Sequence, residues 1–387
     1  MKYDVIIVGG GIIGCSVAYY LSKRNQKVLL LEKRDHAQGS AGATDGVVSY
    51  HTKKPGAQMD LAVQSLKLYE TLEKELGESV EFVPDCGGMQ LAENKDQWDM
   101  LSKIADKQRE SGVDIRMISI DEAREIEPQL APDLYGVLYA PCGGKVEPIK
   151  LTMAFLHAAK RQGVEVKNHL GVTEIKKDSA GKVIGVVTED GSFYEAPKVV
   201  ISSGSWSAEV GKMAGLDLPI KPRRGQLLVT EAVGPFMHCT AQCALYNVIK
   251  FMPETIKDPK ILHIGASLSI HQTENGGLLI GGTREWAGFD RFNSLEAVEA
   301  IAHRALRFFP ALKNVSVIRA FAGLRPYTPD SKALIGGTKK VPGLYLAAGH
   351  EGDGIALAPI TGKLLSEEIV DGRSSYSLEP FSPDRFS

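Results

Sequence analysis

Short apolar runs alternate with glycine-rich turns near the start of the chain. Four β-branched residues form the run Val5–Val8, which is typical of a buried parallel strand. Ile13, Val17 and Leu21 then recur at helical spacing, and a second apolar run follows over 27–31. We therefore predict a strand, a turn, a helix and a second strand in this order.

Later parts of the chain carry the same two periodicities. Amphipathic patterns predict helices over 58–76, 95–110, 149–161, 295–308 and 360–370, with a short helix that begins at the N-cap Asp121 and ends before Pro128. Apolar runs predict strands over 164–166, 198–201 and 344–346, with hairpin turns at 179–181 and 190–191. The helix 295–308, capped by Ser294, is the one helix that we predict between residues 219 and 318.

A strand followed by glycines and a helix occurs at three places: at the N-terminus, near residue 200 and near residue 346. The intervening segments lack this pattern. Strands that alternate with helices in this way indicate an α/β fold. We therefore predict two interleaved domains, a Rossmann-like domain of residues 1–80, 146–218 and 319–387 and a second domain of residues 81–145 and 219–318.

The first turn carries a dinucleotide-binding fingerprint, G-x-G-x-x-G, at Gly9, Gly11 and Gly14. The first glycine permits the tight turn, the second lets the backbone approach a pyrophosphate, and the third lets the helix pack close to the sheet. The phosphate charge then lies at the positive end of the helix. Glu32 ends the second strand and is placed to accept hydrogen bonds from ribose hydroxyls. The fingerprint does not distinguish NAD from FAD.

Composition adds mostly exclusions. The 387 residues include 40 glycines and have a formal net charge of −2, which excludes a globally basic nucleic-acid-binding protein. Five cysteines imply no disulfide framework, and Cys239 and Cys243 have no neighbouring His or Cys that completes a metal site. No stretch is apolar enough to span a bilayer, and Asp4 interrupts the N-terminal apolar run. We therefore expect a cytoplasmic protein without a metal ion, nucleic acid or membrane span.

Further segments narrow the choice of dinucleotide. They are the small-residue loop 39–46 and the segments 200–206, 281–284, 323–330 and 343–361. Together with the fingerprint, these segments resemble the D-amino-acid-oxidase-type family of FAD-dependent oxidoreductases, and the resemblance covers essentially the whole chain. This family includes glycine oxidase, sarcosine oxidase and the β subunits of proline and hydroxyproline dehydrogenases. The resemblance implies a tightly bound FAD. It also implies that the Rossmann-like FAD-binding domain is interleaved with an α+β substrate domain carrying a large mixed or antiparallel sheet.

The resemblance further implies which residues contact FAD. The ADP half would be held by Gly9, Gly11, Gly14 and Glu32, the pyrophosphate and ribityl stretch by Ser40, Ala41 and Thr44, the adenine by Val172, and the flavin by backbone N–H groups of Gly349, Gly352, Gly354 and Ile355. The expected set is completed by Ile12, Ile13, Lys33, Asp45, Gly46, Val48, Ser203, Gly204, Trp206, Arg325, His350 and Asp353.

Three residues are candidates for catalysis. Arg325 is placed by the resemblance against a substrate carboxylate, because a planar guanidinium matches a carboxylate bidentately and stays charged in a dry pocket. A structural ion pair is the alternative for Arg325. Arg284 is a second candidate, and His350 is included because it lies inside the last glycine-rich segment.

The reaction implied by the resemblance is oxidation of a small amino or imino acid, such as proline, hydroxyproline, sarcosine or glycine, by hydride transfer from the carbon next to nitrogen to flavin N5. The acidic segment 351–353 resembles the dehydrogenase β subunits, so the expected partners are small redox subunits and a quinone, a dye-like carrier or oxygen as electron acceptor. Gly323 stands where monomeric sarcosine oxidase attaches its flavin through Cys, which argues against a covalent flavin at that position. The alternatives are an oxygen-using oxidase, an NAD-dependent dehydrogenase and an electron-relay subunit without its own substrate.

Overall fold

The computed structural model describes residues 2–84 and 86–386. Its strands, in chain order, are β1 (Val5–Val8), β2 (Val28–Leu31), β3 (Val47–Val48), β4 (Val83–Pro84), β5 (Gly88–Ala92), β6 (Arg116–Ile118), β7 (Gly136–Ala140), β8 (Gly144–Lys145), β9 (Glu165–Lys167), β10 (Val172–Lys177), β11 (Val183–Thr188), β12 (Phe193–Glu195), β13 (Val199–Ile201), β14 (Lys221–Ala232), β15 (Thr240–Cys243), β16 (Ser269–Gln272), β17 (Gly277–Gly281), β18 (Val317–Tyr327), β19 (Leu334–Gly337) and β20 (Leu344–Ala348). Its α-helices are α1 (Ile12–Ser22), α2 (Ala57–Leu76), α3 (Lys95–Arg109), α4 (Ile120–Ile126), α5 (Pro148–Arg161), α6 (Ser207–Met213), α7 (Ala244–Phe251), α8 (Pro259–Ile264), α9 (Leu295–Phe308) and α10 (Gly354–Asp371).

A six-stranded sheet in the order β19-β20-β13-β1-β2-β9 forms the Rossmann-like part. Its strands pair in parallel except β19, which runs antiparallel to β20. Alternate residues of β1 face opposite sides of the sheet, as the pleat requires. Val5 and Ile7 pack in the same core as α1, α5 and α10, whereas Ile6 and Val8 pack with residues of β10 and β11. Both faces of β1 are therefore buried, which explains its uninterrupted apolar sequence.

A mixed eight-stranded sheet in the order β18-β14-β17-β16-β15-β5-β7-β6 forms the second part. Only the pair β15 and β5 is parallel among these strands. The α/β fold class and the large mixed sheet expected from the sequence are thus confirmed. The proposed division into domains stays a prediction, and β18 extends across its boundary at residue 319.

Most helix predictions agree with the structure to within a residue or two, and three do not. Ser119, not Asp121, caps α4, because its side chain accepts a hydrogen bond from the Glu122 N–H while Glu122 reaches back to the Ser119 backbone. The helix predicted over 360–370 is α10, which begins six residues earlier at Gly354. The region 219–318 contains α7 and α8 in addition to α9, so the prediction of a single helix there was wrong.

Candidate active site

The N-terminal glycine turn is shaped by close backbone packing. Gly9 has φ +112°, and a Cβ there would lie 2.7 Å from the Ser202 carbonyl oxygen. A Cβ at Gly14 would lie 1.9 Å from the carbonyl oxygen of Gly9, so only glycine lets α1 approach the strand end this closely. A Cβ at Gly11 would meet no atom within 4 Å, because Gly11 faces an open cavity.

Gly11 is the N-cap of α1 and offers no side chain to the first turn of that helix. The N–H groups of this turn therefore point to a position where a pyrophosphate is well accommodated. The bare backbone of the turn and the open space beside it fit a bound dinucleotide such as FAD. Residues Gly9, Gly11, Ile12 and Ile13 line this part of the cavity, whereas Gly14 is packed behind it.

Glu32 lies at the cavity wall after β2, as the fingerprint predicts. Its Oε2 accepts a hydrogen bond from the Gly10 N–H at 2.7 Å, and its Oε1 accepts one from the Arg34 N–H at 2.8 Å. These bonds fix the carboxylate and leave lone pairs free for ribose hydroxyls. His36, which sequence reasoning missed, supports the same turn through a 2.8 Å contact between Nδ1 and the Gly10 carbonyl oxygen.

The cavity has a volume of about 570 Å³ and connects the glycine turn to β18 and to the loop before α10. The residues predicted to contact FAD or substrate that line it are Gly9, Gly11, Ile12, Ile13, Glu32, Lys33, Ser40, Ala41, Thr44, Asp45, Val172, Ser203, Gly204, Trp206, Arg284, Arg325, Gly349, His350, Gly352, Gly354 and Ile355. The predicted residues that do not line it are Gly14, Gly46, Val48 and Asp353.

The cavity wall near Glu32 includes Arg34 and Trp206, which belong to an aromatic and cationic stack that the sequence did not reveal. The guanidinium of Arg34 lies 4.8 Å from the centre of the Trp206 ring. Phe289 stacks on Trp206 with ring centres 5.5 Å apart. This stack joins the segment after β2 to the loop between β17 and α9.

Arg325 comes from β18 and lies over a glycine of the neighbouring strand. A Cβ at Gly225 of β14 would lie 2.0 Å from Nη1 of Arg325, so the guanidinium needs this bare backbone. The same Nη1 donates a hydrogen bond of 2.8 Å to the Thr283 carbonyl oxygen. Burial and the neighbouring Arg284 lower the pKa of Arg325. The side chain is thus held in place, while its other N–H donors remain available to a ligand.

Arg284 follows β17 and is almost completely buried. Its guanidinium lies 4.1 Å from the centre of the Tyr246 ring of α7. Burial opposes its charge, but Tyr246 and Glu351 outweigh burial and raise the pKa of Arg284. Neither Nε nor Nη2 has a hydrogen-bond partner among the described residues. A buried charged donor without a partner points to a missing acceptor at this position.

His350 lines the cavity beside Gly349, and its side chain contacts Thr361 of α10. Its Nε2 lies 3.1 Å from Oγ1 of Thr361. Burial lowers the pKa of His350 to about 4, so the imidazole is neutral near pH 7. A catalytic role of His350 stays a prediction.

Asp353 faces away from the cavity, although it belongs to the same loop. Its carboxylate accepts a hydrogen bond of 2.7 Å from Gln58 and forms ion pairs with Lys53 at 2.8 Å and Lys250 at 3.0 Å. All three charged side chains are buried. Asp353 therefore supports the loop from behind instead of touching a ligand. No sequence signal links Lys53 and Lys250, which come from segments far apart in the chain.

Glu351 lies in this loop and lines the cavity, and it was not among the predicted site residues. Its Oε1 is 3.7 Å from Nε of Arg284, and its Oε2 is 3.9 Å from Nζ of Lys250. Burial would raise the pKa of Glu351, but Arg284, Lys250 and Arg325 lower it to about 2. The carboxylate is therefore ionised near pH 7.

Two negative findings concern the part of the chain that the structure describes. Within residues 2–84 and 86–386, no helix is both long and apolar enough to cross a membrane. The same residues contain no group of three or more His, Cys, Asp or Glu side chains arranged to hold a metal ion.

Comparison with known proteins gives a consistent result. A sequence profile of the DAO family, described as FAD dependent oxidoreductase, matches residues 4–368. The chain is 31% identical to the glycine oxidase of Geobacillus kaustophilus, over 99% of this chain and 97% of that protein. It is 28% identical to hydrogen cyanide synthase subunit HcnC of Pseudomonas aeruginosa, over 99% and 96%. Among solved structures, L-proline dehydrogenase from P. horikoshii superposes with a TM-score of 0.89 at 26% identity, covering 100% of this chain and 98% of that chain.

Proposed function

The chain belongs to the DAO family of FAD-dependent oxidoreductases, and we propose that it oxidises the carbon–nitrogen bond of a small α-amino or imino acid. The observation that carries this proposal is the pair of guanidinium groups of Arg284 and Arg325 at the wall of the cavity. Arg325 is part of β18 and Arg284 follows β17, so both come from the eight-stranded sheet. Both retain N–H donors that can bind an anion. Proline, hydroxyproline, sarcosine and glycine carry the carboxylate that this site would bind.

The charges around the two arginines favour an anionic ligand. Five cationic side chains in this region are buried or half-buried: Lys53, Arg223, Lys250, Arg284 and Arg325. Three carboxylates lie near them: Asp45, Glu351 and Asp353. The region therefore has an excess of two positive charges. A cation excess in a site of low dielectric strengthens the binding of a carboxylate. The unpartnered Nε and Nη2 of Arg284 supply the donors.

FAD, when bound, supplies a two-electron acceptor in this cavity. The chain's own residues fix and orient the substrate. Arg325 and Arg284 would hold the carboxylate, so that the carbon next to nitrogen has a defined position from which a hydride can leave. Gly354 and Ile355 of α10 line the cavity, and the positive end of this helix stabilises negative charge that develops there.

The similarity to HcnC, named as a subunit, and to L-proline dehydrogenase supports a dehydrogenase that passes electrons to a partner subunit or a small carrier. The similarity to glycine oxidase supports oxygen as the alternative acceptor. The flavin would not be attached covalently at position 323, because this residue is Gly323 and a Cβ there would lie 2.7 Å from the Ala43 carbonyl oxygen.

The proposed function is tested by anaerobic mixing of the yellow holoprotein with L-proline, D-proline, trans-4-hydroxyproline, sarcosine and glycine. At least one of these should bleach the flavin absorbance. In the variant Arg325→Met, the concentration needed for half-maximal bleaching rate should rise about 10²–10³-fold, because a charge-assisted bidentate contact is lost.

The matched control is Arg319→Met on the same strand β18, since Arg319 is exposed and does not line the cavity. It should behave like the unmodified protein. If no amino or imino acid of the panel bleaches the flavin, the proposed function is wrong. If Arg325→Met and Arg319→Met behave alike, Arg325 does not bind the carboxylate.

A further inference from the structure

Glu351 occupies an unusual backbone position in the loop before α10. It has φ +49°, a left-handed conformation that few residues other than glycine adopt. Its backbone N–H donates a hydrogen bond of 3.1 Å to the carbonyl oxygen of Pro326, next to Arg325 on β18. This conformation costs free energy, and such positions cluster at functional sites. Here it turns a charged side chain, only 4% exposed, toward the cavity.

The two carboxylate oxygens of Glu351 have different surroundings. Oε2 accepts a hydrogen bond of 2.6 Å from the Gly352 N–H. Oε1 has no hydrogen-bond partner within residues 2–84 and 86–386. Arg284 Nε, at 3.7 Å from Oε1, attracts it electrostatically but is beyond hydrogen-bond distance. A buried carboxylate oxygen that lines a cavity without a donor is a strong indication of a ligand donor.

The chemistry of the expected substrate supplies such a donor. An α-amino or imino acid carries its nitrogen one carbon away from its carboxylate. The anion-binding donors of Arg284 and the acceptor Oε1 of Glu351 are neighbours on the same cavity wall. Building on the proposed function, we propose that Oε1 of Glu351 accepts a hydrogen bond from the substrate's N–H and so selects ligands that bear nitrogen next to the carboxylate.

The surrounding charges fit a positioning role rather than a proton-accepting one. Arg284, Lys250 and Arg325 keep the pKa of Glu351 low, so its carboxylate does not readily hold a proton. These three cations outnumber the carboxylates of Glu351 and Asp353, so the local charge favours the neutral amine over the ammonium form. A neutral nitrogen keeps the lone pair that assists departure of the hydride. Glu351 thus fixes the direction of the N–H bond.

The test compares two planar aromatic ring acids. Neither carries a hydrogen on a saturated carbon next to nitrogen, so neither can transfer a hydride to the flavin. Pyrrole-2-carboxylate presents a ring N–H, and 2-furoate presents a ring oxygen at the same place. Dissociation constants are measured on the oxidised holoprotein from the change in flavin absorbance or from calorimetry. The measured quantity is the ratio of the two dissociation constants, and it does not depend on turnover.

The unmodified protein should bind pyrrole-2-carboxylate about 10–100-fold more tightly than 2-furoate. The variant Glu351→Gln should lose most of this preference, because it removes the charge and turns an N–H donor toward the ligand. The variant Glu351→Asp, which keeps the charge on a shorter side chain, should retain part of it. The control Glu209→Gln removes an exposed carboxylate elsewhere in the cavity wall, on α6, and should leave the ratio unchanged.

An unchanged ratio in a folded, yellow Glu351→Gln variant overturns the assignment and leaves the proposed function standing. Equal weakening of both ligands also overturns it, because Glu351 would then act only by holding Arg284. If neither ring acid binds the unmodified protein, the assignment of Glu351 fails, whereas the proposed function is decided separately by the bleaching panel.

Discussion

Replacing Asp353 by Asn should destabilise the protein strongly. The Asp353 carboxylate is 1% exposed and lies within 2.8 Å of Lys53 Nζ and 3.0 Å of Lys250 Nζ. Gln58 donates a third contact at 2.7 Å. The variant Asp353→Asn keeps the shape of the side chain but leaves two buried ammonium groups with less compensating charge. Removing one partner of a buried ion pair costs about 3–5 kcal/mol of the free energy of unfolding.

The same contacts predict how the stabilisation depends on pH. Burial alone would raise the pKa of Asp353, but Lys250 and Lys53 hold it well below its usual range. The carboxylate therefore stabilises the folded state at pH values above its pKa in the unfolded chain, about 3.9. This contribution is lost as the pH falls through the lower folded-state pKa.

The assay is denaturant unfolding of the holoprotein, followed by far-ultraviolet circular dichroism and by release of flavin fluorescence. The control is Asp99→Asn, which breaks the exposed pair between Lys95 and Asp99 at 2.6 Å. Exposed pairs of this kind contribute far less to stability than buried ones, because water screens the charges. If Asp353→Asn lowers the free energy of unfolding by no more than Asp99→Asn does, the buried ion pairs are not structural supports of the loop.

Two further predictions concern the cofactor turn and pH. The variant Gly14→Ala would place its Cβ 1.9 Å from the Gly9 carbonyl oxygen, so we expect it to lose bound FAD on gel filtration. The control Gly234→Ala has open space around its Cβ and should keep FAD. Retention of FAD by Gly14→Ala would show that the glycine turn tolerates a side chain. Burial lowers the pKa of His51 and of His350 to about 4, below the unfolded value of about 6.5, so stability should fall as the pH drops through this window, by about 3 kcal/mol for each histidine. A midpoint of denaturant unfolding that stays constant between pH 6.5 and 4 would contradict this predicted loss of stability.

The positions of the first glycine turn and of Glu32 could be predicted because their signals are local. Val5–Val8, Gly9 and Gly14 lie within one short segment: the strand is buried on both faces, and a Cβ at either glycine would collide with backbone. Glu32 also follows directly from the end of β2. The periodic stripes of α2 and α9 were equally visible, since core packing repeats with the helical period.

The ion network behind the last glycine loop could not be predicted. Lys53, Lys250 and Asp353 are about 100 to 300 residues apart in pairs, and only the folded sheets bring them together. The family resemblance implied that Asp353 contacts FAD. The backbone turn that starts α10 directs it inward, while Glu351, two residues earlier, turns toward the cavity. Neighbouring residues of a turn can thus have opposite roles, which sequence alone does not separate.

We propose that Arg284 and Arg325 at the cavity wall select amines that carry a carboxylate. The decisive measurement is anaerobic reduction of the holoprotein with the amino acid that bleaches it best, compared with the amine that lacks only the carboxylate. For proline this partner is pyrrolidine, and for sarcosine it is dimethylamine. We expect rapid bleaching by the amino acid and at least about 10²-fold slower bleaching by the amine at the same concentration. Equal rates with both would contradict it.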